Sequence, residues 1–102
     1  QVYIPVRNIL FLKTVGNYVE YTVKEKEPIK VRRKLDEAMN ELDPNLFVRL
    51  HKSYGANMDY IKKIDFSQLT AVLKDGSLVT ISRSRKKEVE AAYIEYLRHF
   101  GG

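Results

Sequence analysis

Cysteine is absent from the 102 residues, which excludes disulfides, thiolate zinc sites and a cysteine nucleophile together. Long hydrophobic runs are missing too. Ile9 to Leu12 is as long as any, far below the roughly 20 apolar residues a membrane span requires, and no signal-peptide pattern opens the chain. The chain therefore reads as soluble, and a cytoplasmic location with no membrane partner is expected. Histidine occurs only as His51 and His99, on separate elements, so no metal-ligand spacing is present. Asp36, Glu37, Glu41 and Asp43 are most simply a solvated helix face. No metal and no cofactor are expected. A glycine-rich strand with exposed aromatics, as RNA-recognition sheets use, is also lacking, and no second helix follows the internal one at helix-turn-helix distance.

What is present is positive charge. Eighteen Lys and Arg against 13 Asp and Glu give a net charge of +5, which favours polyanionic partners. A chain of this length is one domain, 1–102, with room for a single modest core. Gln1 lies close to strand-like sequence and Gly101-Gly102 ends the chain, so a piece of a longer protein is expected.

Alternation and helical spacing predict a mainly β chain with one short internal helix and one C-terminal helix. Val2-Tyr3-Ile4, ahead of Pro5, fits an edge strand. Ile9 to Thr14 and Tyr18 to Val23 form a hairpin across Val15-Gly16-Asn17, with Asn17 at its tip. Ile29 and Val31 mark a short strand that runs into Arg32-Arg33-Lys34. Leu35, Ala38, Met39 and Leu42 repeat at helical spacing before Pro44, with Asp36 and Glu37 in the first turn, where the helix dipole favours carboxylates. Strands follow over Phe47 to His51, Tyr60 to Ile64, Leu69 to Leu73 and Leu78 to Ile81, the last two joined by Asp75-Gly76. Val89, Ala92, Tyr93, Tyr96, Leu97 and Phe100 then form a helical stripe, with Ser82 or Ser84 as its cap.

Two segments carry most of the chemistry. In Phe47 to Asn57 the alternation puts Phe47 on the side of Arg49 and His51, with Val48 and Leu50 on the other, and the apolar pattern collapses beyond His51. Ser82-Arg83-Ser84-Arg85-Lys86-Lys87 follows another apolar strand with the same hydroxyl-plus-cation character. They read as two parts of one anion-binding surface. His51, Ser53, Asp59 and the carboxylates of the Leu35 to Leu42 helix are the residues an enzyme could use, but no orienting acid has a recognisable motif, so no catalysis is expected. Lys and Arg neutralise phosphates, Ser, Tyr and Asn donate to phosphate oxygens, and Arg, Lys or Asn can read base edges. The rival readings are a protein-interaction module docking through the Val89 to Phe100 stripe, and a metal-dependent nuclease using His51 and Asn57.

Phe47 to Tyr54 with Asn57, preceded by Ile9-Leu10-Phe11-Leu12-Lys13 and Gly16-Asn17-Tyr18-Val19, and followed by Leu73-Lys74-Asp75-Gly76 and Ile81-Ser82-Arg83-Ser84, resembles the LytTR family of bacterial DNA-binding domains. The resemblance spans about residues 4–90, with the C-terminal helix over about 86–100. It implies an elongated arrangement of small antiparallel sheets that serves as the output domain of a two-component response regulator and reads successive major grooves with loops. By position, Asn17, Lys52 and Arg83 take the family's base-reading places. Arg49, His51, Ser53, Tyr54, Asn57, Ser82, Ser84, Arg85 and Lys86 fall where loops are supported or phosphate is touched. Two positions depart from the family pattern: Lys52 stands where arginine is usual, and Gly55 where a bulkier apolar residue is. The resemblance also implies double-stranded promoter DNA with paired sites as partner, a homodimer on that DNA and an upstream receiver domain.

Overall fold

Residues 3–100 are described by the structure, a computed structural model. In chain order these form β1 (Ile9–Val15), β2 (Tyr18–Val23), β3 (Ile29–Arg32), α1 (Leu35–Asn40), β4 (Phe47–His51), β5 (Tyr54–Asn57), β6 (Ile61–Asp65), β7 (Thr70–Leu73), β8 (Leu78–Thr80) and α2 (Lys86–Phe100). The strands make two antiparallel sheets, ordered β3-β2-β1-β5-β4 and β6-β7-β8. The longest axis is 39 Å, against 28 and 25 Å for the others.

Two expectations need correction. Val2 lies outside the described residues, and Tyr3 and Ile4 are not in a strand. Pro5 instead opens a 3-10 turn over Val6–Asn8, closed by the Asn8 amide donating to the Pro5 carbonyl at 2.9 Å. The second correction concerns the segment Tyr54 to Asn57, where the apolar pattern collapses and no strand is expected. It is β5, the inner partner of a tight hairpin with β4, hydrogen-bonded to β1 on its other side. Gly55 and Ala56 carry too little side chain to signal alternation, so pairing by two neighbours makes this strand, not its own pattern.

Side-chain alternation on β4 has the predicted sense from Phe47 to Leu50, each side facing a different core, but the register shifts between Arg49 and His51, so His51 stacks on Tyr54 on the Val48 and Leu50 side instead of joining Phe47 and Arg49. Phe47 is buried with Ile9, Leu12, Val19, Leu35 and Ala38 under α1. Val48 and Leu50 point the other way, into a core shared with Met58, Ile61, Ala71, Leu73, Ile81 and Val89. One sheet thus separates two apolar clusters. Ile9 and Leu12 reach the same side despite their spacing because the β1 register shifts between Ile9 and Phe11, where a bulge absorbs one residue. In α2, Val89, Ala92, Tyr93 and Tyr96 cover the second core, while Leu97 and Phe100 run beyond it and stay exposed.

Gly55 has a local explanation. A Cβ built there would lie 2.6 Å from the Met39 sulfur and 3.1 Å from the Val48 carbonyl oxygen, so the methionine occupies the space a side chain at 55 would need. Gly55→Val should therefore lower stability by about 1–3 kcal/mol, as overpacking does. The paired change Gly55→Val with Met39→Ala should recover at least half of that loss in urea unfolding. No recovery would mean that the Val48 backbone, and not Met39, sets the limit.

Candidate nucleic-acid interface

Strand register brings the turns together. β1 and β2 close at Gly16-Asn17, where Gly16 takes φ +60° and Asn17 does not share the positive φ, as a type II′ hairpin turn requires. β4 and β5 close at Lys52-Ser53. Because β1 pairs antiparallel with β5, Lys13 opposite Tyr54, the two turns lie at the same end of the sheet. The Thr14 amide fixes this by donating to the Ser53 carbonyl at 2.8 Å.

The serine-arginine cluster reaches this end by a separate route. After β8 the Ser82 amide donates to the Leu50 carbonyl at 2.9 Å, anchoring a 3-10 turn over Arg83–Arg85 beside β4 before α2 begins at Lys86. The Tyr54 hydroxyl adds a second link, donating to the Thr80 carbonyl and accepting the Thr80 amide at 2.8 Å. Burial raises the phenol above its ordinary range despite these bonds, so Tyr54 is a neutral strut. Ser82 makes no side-chain cap bond, contrary to the expected cap, because the 3-10 turn intervenes between it and the helix.

An open cleft of about 670 Å³ lies between these parts. Asn17, Lys52, Arg49 and Arg85 line it among the residues singled out from sequence, joined by Arg32 at the end of β3 and by Arg33 and Lys34 from the β3–α1 connection. Arg83, Ser84 and Lys86 are exposed outside its lining, on the 3-10 turn and the first residue of α2. The cations differ in what they are free to do. Arg33 is paired with Glu41 at 2.7 Å, and Arg85 leans toward Glu88 at 3.4 Å. Lys52, Arg83, Arg32 and Lys34 have no ion-pair partner among the described residues and are exposed.

Other candidates are internal supports. Arg49 is largely covered, and its three nitrogens donate to Asp36, to the His51 carbonyl and to the Lys52 carbonyl. The guanidinium holds the Asp36 carboxyl below the usual carboxylate range. His51 accepts the Ser53 amide on Nδ1 at 3.0 Å, which puts the proton of the neutral ring on Nε2, and it stacks on Tyr54 with ring centroids 4.6 Å apart. Ser53 contributes through its backbone. Asn57 is fully buried at the far end of the β4–β5 hairpin from the Lys52 turn, opposite Phe47. There its amide bridges the Arg7 and Ile9 carbonyls to the Asp59 amide.

Sequence reasoning missed the part of Asp36, which looked like a solvated helix-face residue. Its partner stands 13 positions away, and no local pattern signals such a pair.

The LytTr DNA-binding domain family model matches residues 1–94. Among solved structures the chain resembles the LytTr DNA-binding domain of a protein assigned as a methyl-accepting/DNA response regulator from Bacillus cereus, with a TM-score of 0.78 and 20% identity over 89% of this chain and 85% of that one. At that identity the likeness establishes the fold: two antiparallel sheets with a short helix and a C-terminal one. No curated protein sequence matches significantly.

Proposed function

The chain belongs to the LytTR DNA-binding domain family, and on that premise we propose that it binds double-stranded DNA sequence-specifically, with its turns placed in the major groove. Asn17, Lys52 and Arg83 are assigned to base edges. Arg32, Lys34, Arg85 and Lys86 are assigned to phosphates, and Arg49, His51 and Tyr54 to holding the turns. The observation that carries this reading is the cleft at one end of the sheet, where two hairpin tips and a cationic connection meet. Lysine reaches guanine O6 and N7 as a point charge, without the planar fork of arginine, so discrimination at Lys52 is expected to be weaker than at Arg83. The reading makes the chain a binding domain with no covalent chemistry.

The wider setting follows the same premise. The domain is assigned to the output of a bacterial two-component response regulator in the cytoplasm, acting as a homodimer on paired promoter sites with a receiver domain upstream. No helix among the described residues is long and apolar enough to cross a membrane.

The test starts from duplexes selected out of a random pool by the wild-type domain. Lys52→Ala and Arg83→Ala should each weaken binding to the selected duplex by about 1–3 kcal/mol, roughly fivefold to 150-fold. The logarithm of the association constant should fall linearly with the logarithm of salt concentration, as phosphate contacts release counterions. A flat salt response, or full affinity in both variants, would overturn the reading. Indifference to all DNA at physiological salt would favour a protein-interaction module instead.

A further inference from the structure

We infer that Asp36 is a positioning residue for base reading: through Arg49 it holds the Lys52-Ser53 turn in the shape that aims Lys52. The inference rests on the DNA-reading function proposed above. Its basis is how one guanidinium is shared. Arg49 Nη1 donates to Asp36 Oδ1 at 2.7 Å, Nε to the His51 carbonyl at 2.9 Å and Nη2 to the Lys52 carbonyl at 2.5 Å. Two of these acceptors belong to the turn itself, and the third sits in the first turn of α1. The planar fork therefore ties the Lys52 backbone to a separate element.

Exposure separates the two partners. The Arg49 side chain is 16% exposed and that of Asp36 79%, so the cation forms part of the cleft wall and the carboxylate stands at its rim. An ion pair with so exposed a partner adds little to stability. What it fixes is direction, because a fork held on one prong by Asp36 presents its other two to the turn carbonyls. Asp36 also stands in a cleft otherwise rich in cations, with Arg85 and Lys34 acting on the same carboxylate. There a negative charge opposes phosphate and lowers affinity for any DNA. The structure thus sets a loss of general affinity against an ordered reading turn.

This assigns opposite signs to two measurable quantities. Asp36→Asn removes the charge that holds the fork and frees Arg49 to swing toward phosphate. Affinity for random-sequence duplex should hold or rise, while base preference should fall. Loss of fold would lower both. The variant is conservative at an exposed position, so its melting temperature should stay near that of wild type.

The experiment selects duplexes from a random pool with wild type, Lys52→Ala, Arg83→Ala and Asp36→Asn, and compares base preference position by position. At positions whose preference is lost in Lys52→Ala, Asp36→Asn should lose about fivefold or more, since a base contact there discriminates by about tenfold. Positions that depend on Arg83 should change less than about twofold. In an Arg49→Lys background, which keeps the charge but not the fork, adding Asp36→Asn should change preference less than about twofold. Unchanged preference at the Lys52 positions, or an even loss across all positions together with lower random-duplex affinity, would overturn the inference while leaving DNA reading intact. Enrichment of no sequence by wild type would overturn the DNA reading itself.

Discussion

Asn57→Ala should lower the unfolding free energy by about 3 kcal/mol, because it strands three backbone groups at once. Asn57 has no exposed surface, and its Nδ2 donates to the Ile9 carbonyl at 3.0 Å and the Arg7 carbonyl at 3.2 Å, while Oδ1 accepts the Asp59 amide at 2.8 Å. Each orphaned group in a buried setting costs about 1–3 kcal/mol, and the Arg7 carbonyl, only partly covered, can recover some of that from water. For a domain of this size the melting temperature should fall by about 15 °C. DNA affinity measured well below that melting point should stay within about twofold of wild type, because Asn57 lies at the far end of the hairpin from Lys52. Circular dichroism melts and a duplex titration check both parts. A preserved melting temperature with lost DNA affinity would place Asn57 at the interface, where its amide chemistry alone would also have allowed it.

The same residue shows where reading from sequence stops. An asparagine after a cationic segment can donate to phosphate, cap a turn or bridge buried carbonyls, and the side chain is identical in each role. Its partners, the Arg7 and Ile9 carbonyls, are 50 and 48 positions away, so only the fold selects among the three. Tyr54 and Arg49 behave alike: Thr80 and Asp36 are contacts that no local pattern announces. By contrast the Gly16-Asn17 tip, the Asp75-Gly76 turn and the alternation from Phe47 to Leu50 are legible, because turn chemistry and strand period act between close neighbours, whereas the register shift before His51 is not. The C-terminal helix is legible in extent, about 86–100 against Lys86–Phe100, but not in its cap. Ser82 looks like a cap in sequence, yet the 3-10 turn over Arg83–Arg85 separates it from the helix and carries Arg83 to the surface. Family resemblance supplied the order of the candidate segments, whereas the shared cleft required the register of β1 against β5.

Leu50→Ala should cost about 3–5 kcal/mol, comparable with the largest buried leucine truncations. Leu50 is fully buried in the core under α2, and its own carbonyl receives the Ser82 amide that anchors the arginine turn. That bond is backbone to backbone, so the variant keeps it and loses only packing. Urea unfolding should show a lower midpoint at an unchanged slope, the signature of a stability change without a change in the surface exposed. A loss below about 1.5 kcal/mol would mean that Ile81 and Val89 collapse into the space, since the penalty depends on how far a site can close. Leu12, equally buried on the opposite face of the same sheet, supplies the comparison. Leu12→Val and Leu50→Val are smaller cuts that leave the domain folded, and in one chain their losses should add to within about 0.5 kcal/mol, because each side chain packs into a different cluster. Coupling above about 1 kcal/mol would show instead that the sheet transmits a repacking from one core to the other. Strain under α1, where Asp36 sits, would then reach the arginine turn beside β4 through the sheet itself.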